Sequence, residues 1–399
     1  MATSSPKLTD SIEFPAELDT NKTLFGVGIV GLIASGVGYF LNQEQFFFSY
    51  LTSFTFFTSF ALSALFMVMI HHITRSSWGT VMRRIPETFS SYIWIWAIFF
   101  IPVIFGMGTL YSWTDPSYVI GDPIMEGKVP YLNEPFFIIR QILYFGVWGW
   151  LGYRLHKASV EMDLTKDWGL TTLMRKISAP GILIFALTIA FASFDWLMSL
   201  DAHWFSTMFG VYFFAMSFQA FFPMLFLLIL WMQNRGILEN TITKAHIYDL
   251  GAWFFAFTVF YAYIAFSQFL LIYYANIPEA TLWYYHRLEG SWAFISYSLI
   301  IGRFILPFIV LLNRDSKHSR KLLIFTSIVV LFMHFIELYW IAMPIMDHHG
   351  ISISWMDITT IFGLGGIFFG LFFRKLKKHN LIPVNDPNLA DSLGKHYHQ

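Results

Sequence analysis

Ten times along this sequence, a run of about 20 residues passes with almost no charge, and that is the length needed to cross the hydrocarbon core of a bilayer. The runs lie near 24–41, 46–70, 92–111, 135–153, 179–200, 204–232, 250–275, 291–312, 322–344 and 354–373. Phe, Ile, Leu and Val dominate them, and the polar stretches between are short. Water would not tolerate such a chain: 56% of its residues are hydrophobic and 13% are charged, against about 25% charged in a soluble domain. Backbone that crosses lipid must satisfy its own hydrogen bonds, so each run is expected to be helical. The expected fold is an all-α integral membrane protein of about ten transmembrane helices. Only Asp201, Ala202 and His203 separate the fifth run from the sixth, which predicts a tight helical hairpin there.

Orientation follows from where Lys and Arg fall. With the N-terminus inside, Lys128 and Arg287 lie on outer segments, Arg140 and Arg303 lie within spans, and the remainder of the 25 Lys and Arg falls on inner segments. An even number of spans then places both termini in the cytoplasm, as tails over 1–23 and 374–399 flanking a transmembrane domain over 24–373. The N-terminal tail carries Asp10, Glu13, Glu17 and Asp19 against two lysines. It lacks the positive region that opens a cleavable signal, so the first span is expected to be retained.

Cysteine is absent. That excludes iron–sulfur ligation and c-type haem attachment on this chain. A haem held by two histidines needs them on facing helices at similar depth, whereas His334 is the only His well inside a span and His71 and His72 sit at a helix end. No phosphate-binding glycine loop or metal-ligand spacing stands out. The chain is therefore expected to bind no cofactor of its own.

What remains is a small set of ionisable side chains within the membrane, where charge is costly and points to function. Arg140 lies five residues from the outer end of the fourth run and Asp195 five from the outer end of the fifth. Both are then about 7.5 Å below the same surface at 1.5 Å per residue, and an ion pair is expected if the helices are neighbours. The alternative to a role in proton transfer is a structural pair that fixes helix register. In the second half, the same count puts Gln268 and Glu337 about 10 Å deep, His334 about 15 Å and Arg303 about 18 Å. His334 and Glu337 are three apart, on one helix face. These four are expected to form a ladder, a half-channel open to the outer side, and with Asp195 they are the candidates for proton transfer. The alternative here is that an arginine merely neutralises Glu337. Trp113, Trp204, Trp283 and Trp355, near span ends, form an interfacial belt.

Several segments carry a family resemblance. Ser178-Ala-Pro-Gly-Ile and the stretch from Phe191 through Phe194-Asp195-Trp196 and Asp201-Ala202-His203 to Gly210 resemble the ActF-type membrane subunit of bacterial alternative complex III. So do Trp78 to Glu87 with Arg83-Arg84, Tyr131 to Arg140, and Tyr274 to Glu279 followed by Trp283 and Arg287-Leu288-Glu289. The chain departs from the family pattern at Ala202, where Pro is commoner, and at Glu134. The resemblance implies a subunit of a respiratory quinol:acceptor oxidoreductase, related to the NrfD and polysulfide reductase membrane anchors. It implies two four-helix bundles, here about 46–200 and 204–344, with the first and last helices outside them. It also implies partners: a sister NrfD-like membrane subunit, an iron–sulfur protein, multihaem and monohaem c-type cytochromes, a terminal oxidase, and lipids, with no nucleic acid. In that family the quinol site is assigned to the sister subunit, so none is assigned here. The implied location is the bacterial inner membrane, and the implied role is assembly and proton movement, without catalysis by the chain alone. A secondary transporter and a purely structural membrane anchor are the alternatives.

Overall fold

Helix forms wherever the sequence runs apolar, and no strand occurs among the described residues, which in this computed structural model are 10–395 without 16, 19, 348 and 349. Helices α1 (Thr20–Leu41) and α2 (Gln43–Thr74) make a hairpin linked by Asn42, whose side chain caps α2 by accepting from the Gln45 amide at 3.0 Å. The third crossing, α3 (Arg84–Phe105), is interrupted by a 3-10 stretch at Ala97–Phe100. Then come α4 (Glu134–Thr165), α5 (Gly169–Trp196), α6 (Phe209–Gln233) and α7 (Lys244–Ala275). The last three are α8 (Trp292–Leu312), α9 (Arg320–Ala342) and α10 (Trp355–Leu376).

Nine of these are long and apolar enough to cross a membrane, by length and composition, among the described residues. The exception is α4, which is 32 residues long but carries Arg140, Gln141, Arg154 and Lys157. It packs against α3 and α5 all the same. Helices α2 to α5 pack as one four-helix group and α6 to α9 as a second, joined where α2 meets α6 and α9. The two central helices α2 and α6 are buried along most of their length, whereas Phe40, Phe105, Leu183 and Phe294 stand on the outside. Apolar area in water costs roughly 25 cal/mol per Å²; facing lipid it costs nothing, and the molecule is a multi-pass membrane protein.

Helices α1 and α10 pair outside the bundles because small residues let their backbones touch. A Cβ on Gly31 would come within 2.6 Å of the Gly363 backbone, and one on Gly366 within 2.5 Å of Gly28. The Ser35 hydroxyl donates to Thr359 at 3.0 Å across the same contact. This is the small-residue packing that drives helix association in lipid, where no hydrophobic force acts between helices.

Several boundaries differ from the sequence expectation, the fourth helix running on to Thr165 and the fifth starting at Gly169 among them. The sixth span begins at Phe209 rather than 204, because Trp204 is held outside the helix, its indole stacked on Trp283 at 4.4 Å and donating to Ala280 O at 3.2 Å. The third begins at Arg84, with Arg84 and Glu87 paired inside its first turn at 2.9 Å. The C-terminal segment folds back instead of trailing: Leu381 N donates to Ile12 O at 2.7 Å, and Asn385 donates to Asp163 O at 2.7 Å. Asp10 accepts from Asn240 and Thr241, so the described ends of the chain meet on one face of the molecule.

Candidate functional site

Three carboxylates of the bundles are fully buried, Glu87, Asp195 and Glu337, and the last two, one in each bundle, each face an arginine from the preceding helix. In the first bundle Asp195, near the end of α5, accepts from Arg140 Nε at 2.8 Å and Nη2 at 2.9 Å, a two-pronged pair. Gln141 donates to the same carboxylate at 3.3 Å and Tyr144 at 3.0 Å. Arg140 spends a further donor on Tyr131 O at 2.8 Å, and its guanidinium lies over the Tyr131 ring at 3.9 Å. The depths counted from the sequence explain the pairing: α4 leaves one end of the bundle where α5 returns to it. These donors supply the carboxylate with partners that a membrane interior would not.

In the second bundle Glu337 on α9 accepts from Tyr261 on α7 at 2.6 Å and from Tyr212 on α6, both at Oε1. Its other oxygen lies 3.3 Å from Arg303 Nε, an ion contact without hydrogen-bond geometry. Arg303 sits in a π-helical turn of α8, Ile300–Ile305, and donates to Met216 O at 2.8 Å. Such turns insert an extra residue and re-aim the side chains around them. The turn and the long arginine side chain close the gap of about 8 Å in depth that residue counting leaves between Arg303 and Glu337.

The ladder expected of the second bundle is not what the structure shows. His334 turns away from Glu337: its Nε2 lies 2.9 Å from Ser59 Oγ on α2, and its ring packs on Phe56 and Phe60. Three positions along a helix differ by about 60° in direction, enough for the two side chains to reach different neighbours. Ser59 donates its hydroxyl to Phe56 O at 2.7 Å, so it accepts from His334, which is thereby the Nε2–H tautomer. Gln268 lies apart, accepting from Ser206 and donating to Tyr284, both at 3.3 Å. Among the described residues no hydrogen bond joins Gln268 or His334 to Glu337. Of the four, the structure brings together Arg303 and Glu337.

Sequence reasoning missed Tyr144, Tyr212 and Tyr261, which look like ordinary aromatic residues of apolar runs. It also missed a charged network at the face where the described chain ends meet. Arg83 bonds Glu87 at 2.9 Å and Asp386 at 2.5 Å, and Arg84 bonds Glu87 at 2.9 Å and Asp163 at 2.5 Å. The spacing of Arg83, Arg84 and Glu87, three and four apart on a helix, was the available signal. On the opposite face Arg287, in the short helix Pro278–Leu288, donates to Trp340 O at 3.0 Å and Ile341 O at 2.7 Å. These are carbonyls left over at the end of α9. Burial lowers the Arg287 pKa to about 9, which leaves it charged at neutral pH, and it therefore complements the negative end of that helix.

Comparison with known proteins adds nothing to this geometry: neither the models of protein families nor the curated proteins contain a match to the chain.

Proposed function

We propose that this chain is a cofactor-free membrane subunit of a respiratory quinol:acceptor oxidoreductase of the alternative complex III type, seated in a bacterial inner membrane with both termini in the cytoplasm. Its part is to support assembly and to carry protons over a portion of the membrane. The observation that carries this reading is where the ActF-like segments fall. Tyr131 to Arg140 and the segment around Asp195 supply the two halves of the first buried centre. Trp78 to Glu87 supplies Arg83, Arg84 and Glu87 of the charged network, and Arg287 closes the end of α9. Residues that resemble a family only by chance would not be concentrated at the costliest buried charges.

Within this reading Glu337 is the proton carrier. Its carboxylate is fully buried, two phenolic hydroxyls converge on one oxygen, and the other is held by ion contact alone. A secondary transporter is favoured by one observation, the recurrence of an arginine–carboxylate centre in two similarly oriented bundles. Affinity capture of the tagged chain from gently solubilised membranes separates the two. Co-purifying multihaem c-type and iron–sulfur subunits are expected. An intact chain that comes down alone, and that drives solute uptake when reconstituted in liposomes, overturns the respiratory assignment.

A further inference from the structure

A cavity of about 290 Å³ opens where the end of α2 meets the start of α5 and the returning C-terminal segment. It is separate from both buried carboxylate centres. Arg75, Arg83 and Arg175 line it, with Asp386 as the only carboxylate in its wall. That carboxylate is already engaged: one oxygen binds Arg83 at 2.5 Å and the other accepts from the Asn388 amide at 2.8 Å. Arg75 and Arg175 make no side-chain hydrogen bond or ion pair with any described residue. Two cations are thus left facing one cavity.

Two further features point the same way. His71 and His72 also line the cavity, are 4% and 8% exposed, and have ring nitrogens with no hydrogen-bond partner among the described residues. Buried polar atoms are rarely left so. Thr171 and Thr172, in the first turn of α5, also line it; the first amide of that helix, Gly169 N, is capped by the Asp167 side chain at 2.8 Å. These two threonines bring hydroxyl groups to the same space as the arginines and histidines. Arginine forks, imidazole N–H groups and hydroxyls are donors that phosphate oxygens accept.

We propose that this cavity binds a phosphate group, presented either by the headgroup of an anionic phospholipid or by free phosphate. The cavity lies at the end of the bundles where Lys and Arg concentrate, and basic recesses between membrane helices are suited to lipid headgroups. Its size admits one phosphate ester with its first substituent.

The test uses the full chain in a neutral detergent, with bound adducts counted by native mass spectrometry. The probes are dioleoylphosphatidylglycerol, dioleoylglycerol with the same tails and no phosphate, and inorganic phosphate. The variants are Arg75→Asn with Arg175→Gln, Asn being chosen because residue 75 has φ 52° and Asn tolerates that left-handed conformation. Arg175→Glu alone, a surface change at a half-buried position, serves if the double variant fails to fold. One tight phosphatidylglycerol is expected on the wild type, bound about ten-fold more weakly by either variant, with no matching dioleoylglycerol adduct. Phosphatidylglycerol bound without inorganic phosphate identifies a lipid site; inorganic phosphate that binds and competes identifies a site for the phosphate group itself. Equal binding of dioleoylglycerol, undiminished binding by both variants, or no binding of either phosphate probe overturns the proposal.

Discussion

The two bundles solve the same problem differently. Each places an arginine on its third helix and a carboxylate on its fourth, Arg140 with Asp195 and Arg303 with Glu337. In the first, four donors converge on the carboxylate and the arginine reaches it with two parallel bonds. In the second, the arginine makes ion contact only, and two tyrosine hydroxyls share the remaining oxygen. A fully bonded charge pair is a structural clamp, because losing either partner breaks several bonds at once. A carboxylate that its counter-charge touches without a hydrogen bond keeps an oxygen open to another partner. On the proposed reading, the first centre serves stability and the second serves proton traffic.

The largest expected effect breaks the first centre. In Asp195→Asn the amide cannot accept, so one oxygen must serve Arg140, Gln141 and Tyr144, and a buried guanidinium loses its counter-charge. Removing one partner of a buried pair costs about 3–5 kcal/mol. The variant is expected to show a lowered thermal midpoint in detergent and reduced recovery of the assembled complex. A midpoint equal to wild type would mean that the Arg140–Asp195 clamp holds nothing.

Glu337→Gln is expected to do less to stability and more to function. Glutamine keeps an oxygen for Tyr212 and Tyr261 and turns its amide toward Arg303, which retains its bond to Met216 O. Because the fully buried Arg303 also loses its counter-charge but fewer bonds are broken, the loss is expected near the low end of the range for Asp195→Asn, about 3 kcal/mol. The complex should assemble and oxidise quinol, with a reduced number of protons moved per electron. If assembly, quinol oxidation and that ratio all match wild type, the second centre is as structural as the first.

These contrasts were only partly legible in the sequence. Arg140 and Asp195 could be paired in advance because consecutive runs place them at equal depth, and depth along a helix is countable. The pair of Arg303 with Glu337 was nameable as residues, but its geometry depends on a π-turn that leaves no mark on hydropathy. Tyr212 and Tyr261 were invisible for another reason. A tyrosine in an apolar run contributes ring and hydroxyl alike to the pattern, and which one matters depends on helices brought together only by folding. By composition Arg83 is one more basic residue of an inner segment, because its partner Asp386 lies 303 residues away, on a segment with no periodic signal. Helix existence follows from local composition, whereas the choice of neighbours does not.

The smallest effect is expected at the junction of the bundles, in Ser59→Ala. The change removes the hydroxyl that accepts from His334 Nε2 across α2 and α9. Hydrogen bonds between helices in lipid average about 0.6 kcal/mol, and the alanine leaves little empty space beside Phe56 and Phe60. The thermal midpoint should therefore fall only slightly. The proton-to-electron ratio sharpens the comparison. His334 Nδ1 has no hydrogen-bond partner among the described residues, so a proton passed to this ring has no onward acceptor, and its Nε2 leads into the first bundle rather than toward Glu337. The ratio is accordingly expected to stay at the wild-type value in Ser59→Ala while it falls in Glu337→Gln. A comparable fall in both would place His334 on the proton path and make the two bundles parts of one relay instead of a clamp beside a carrier.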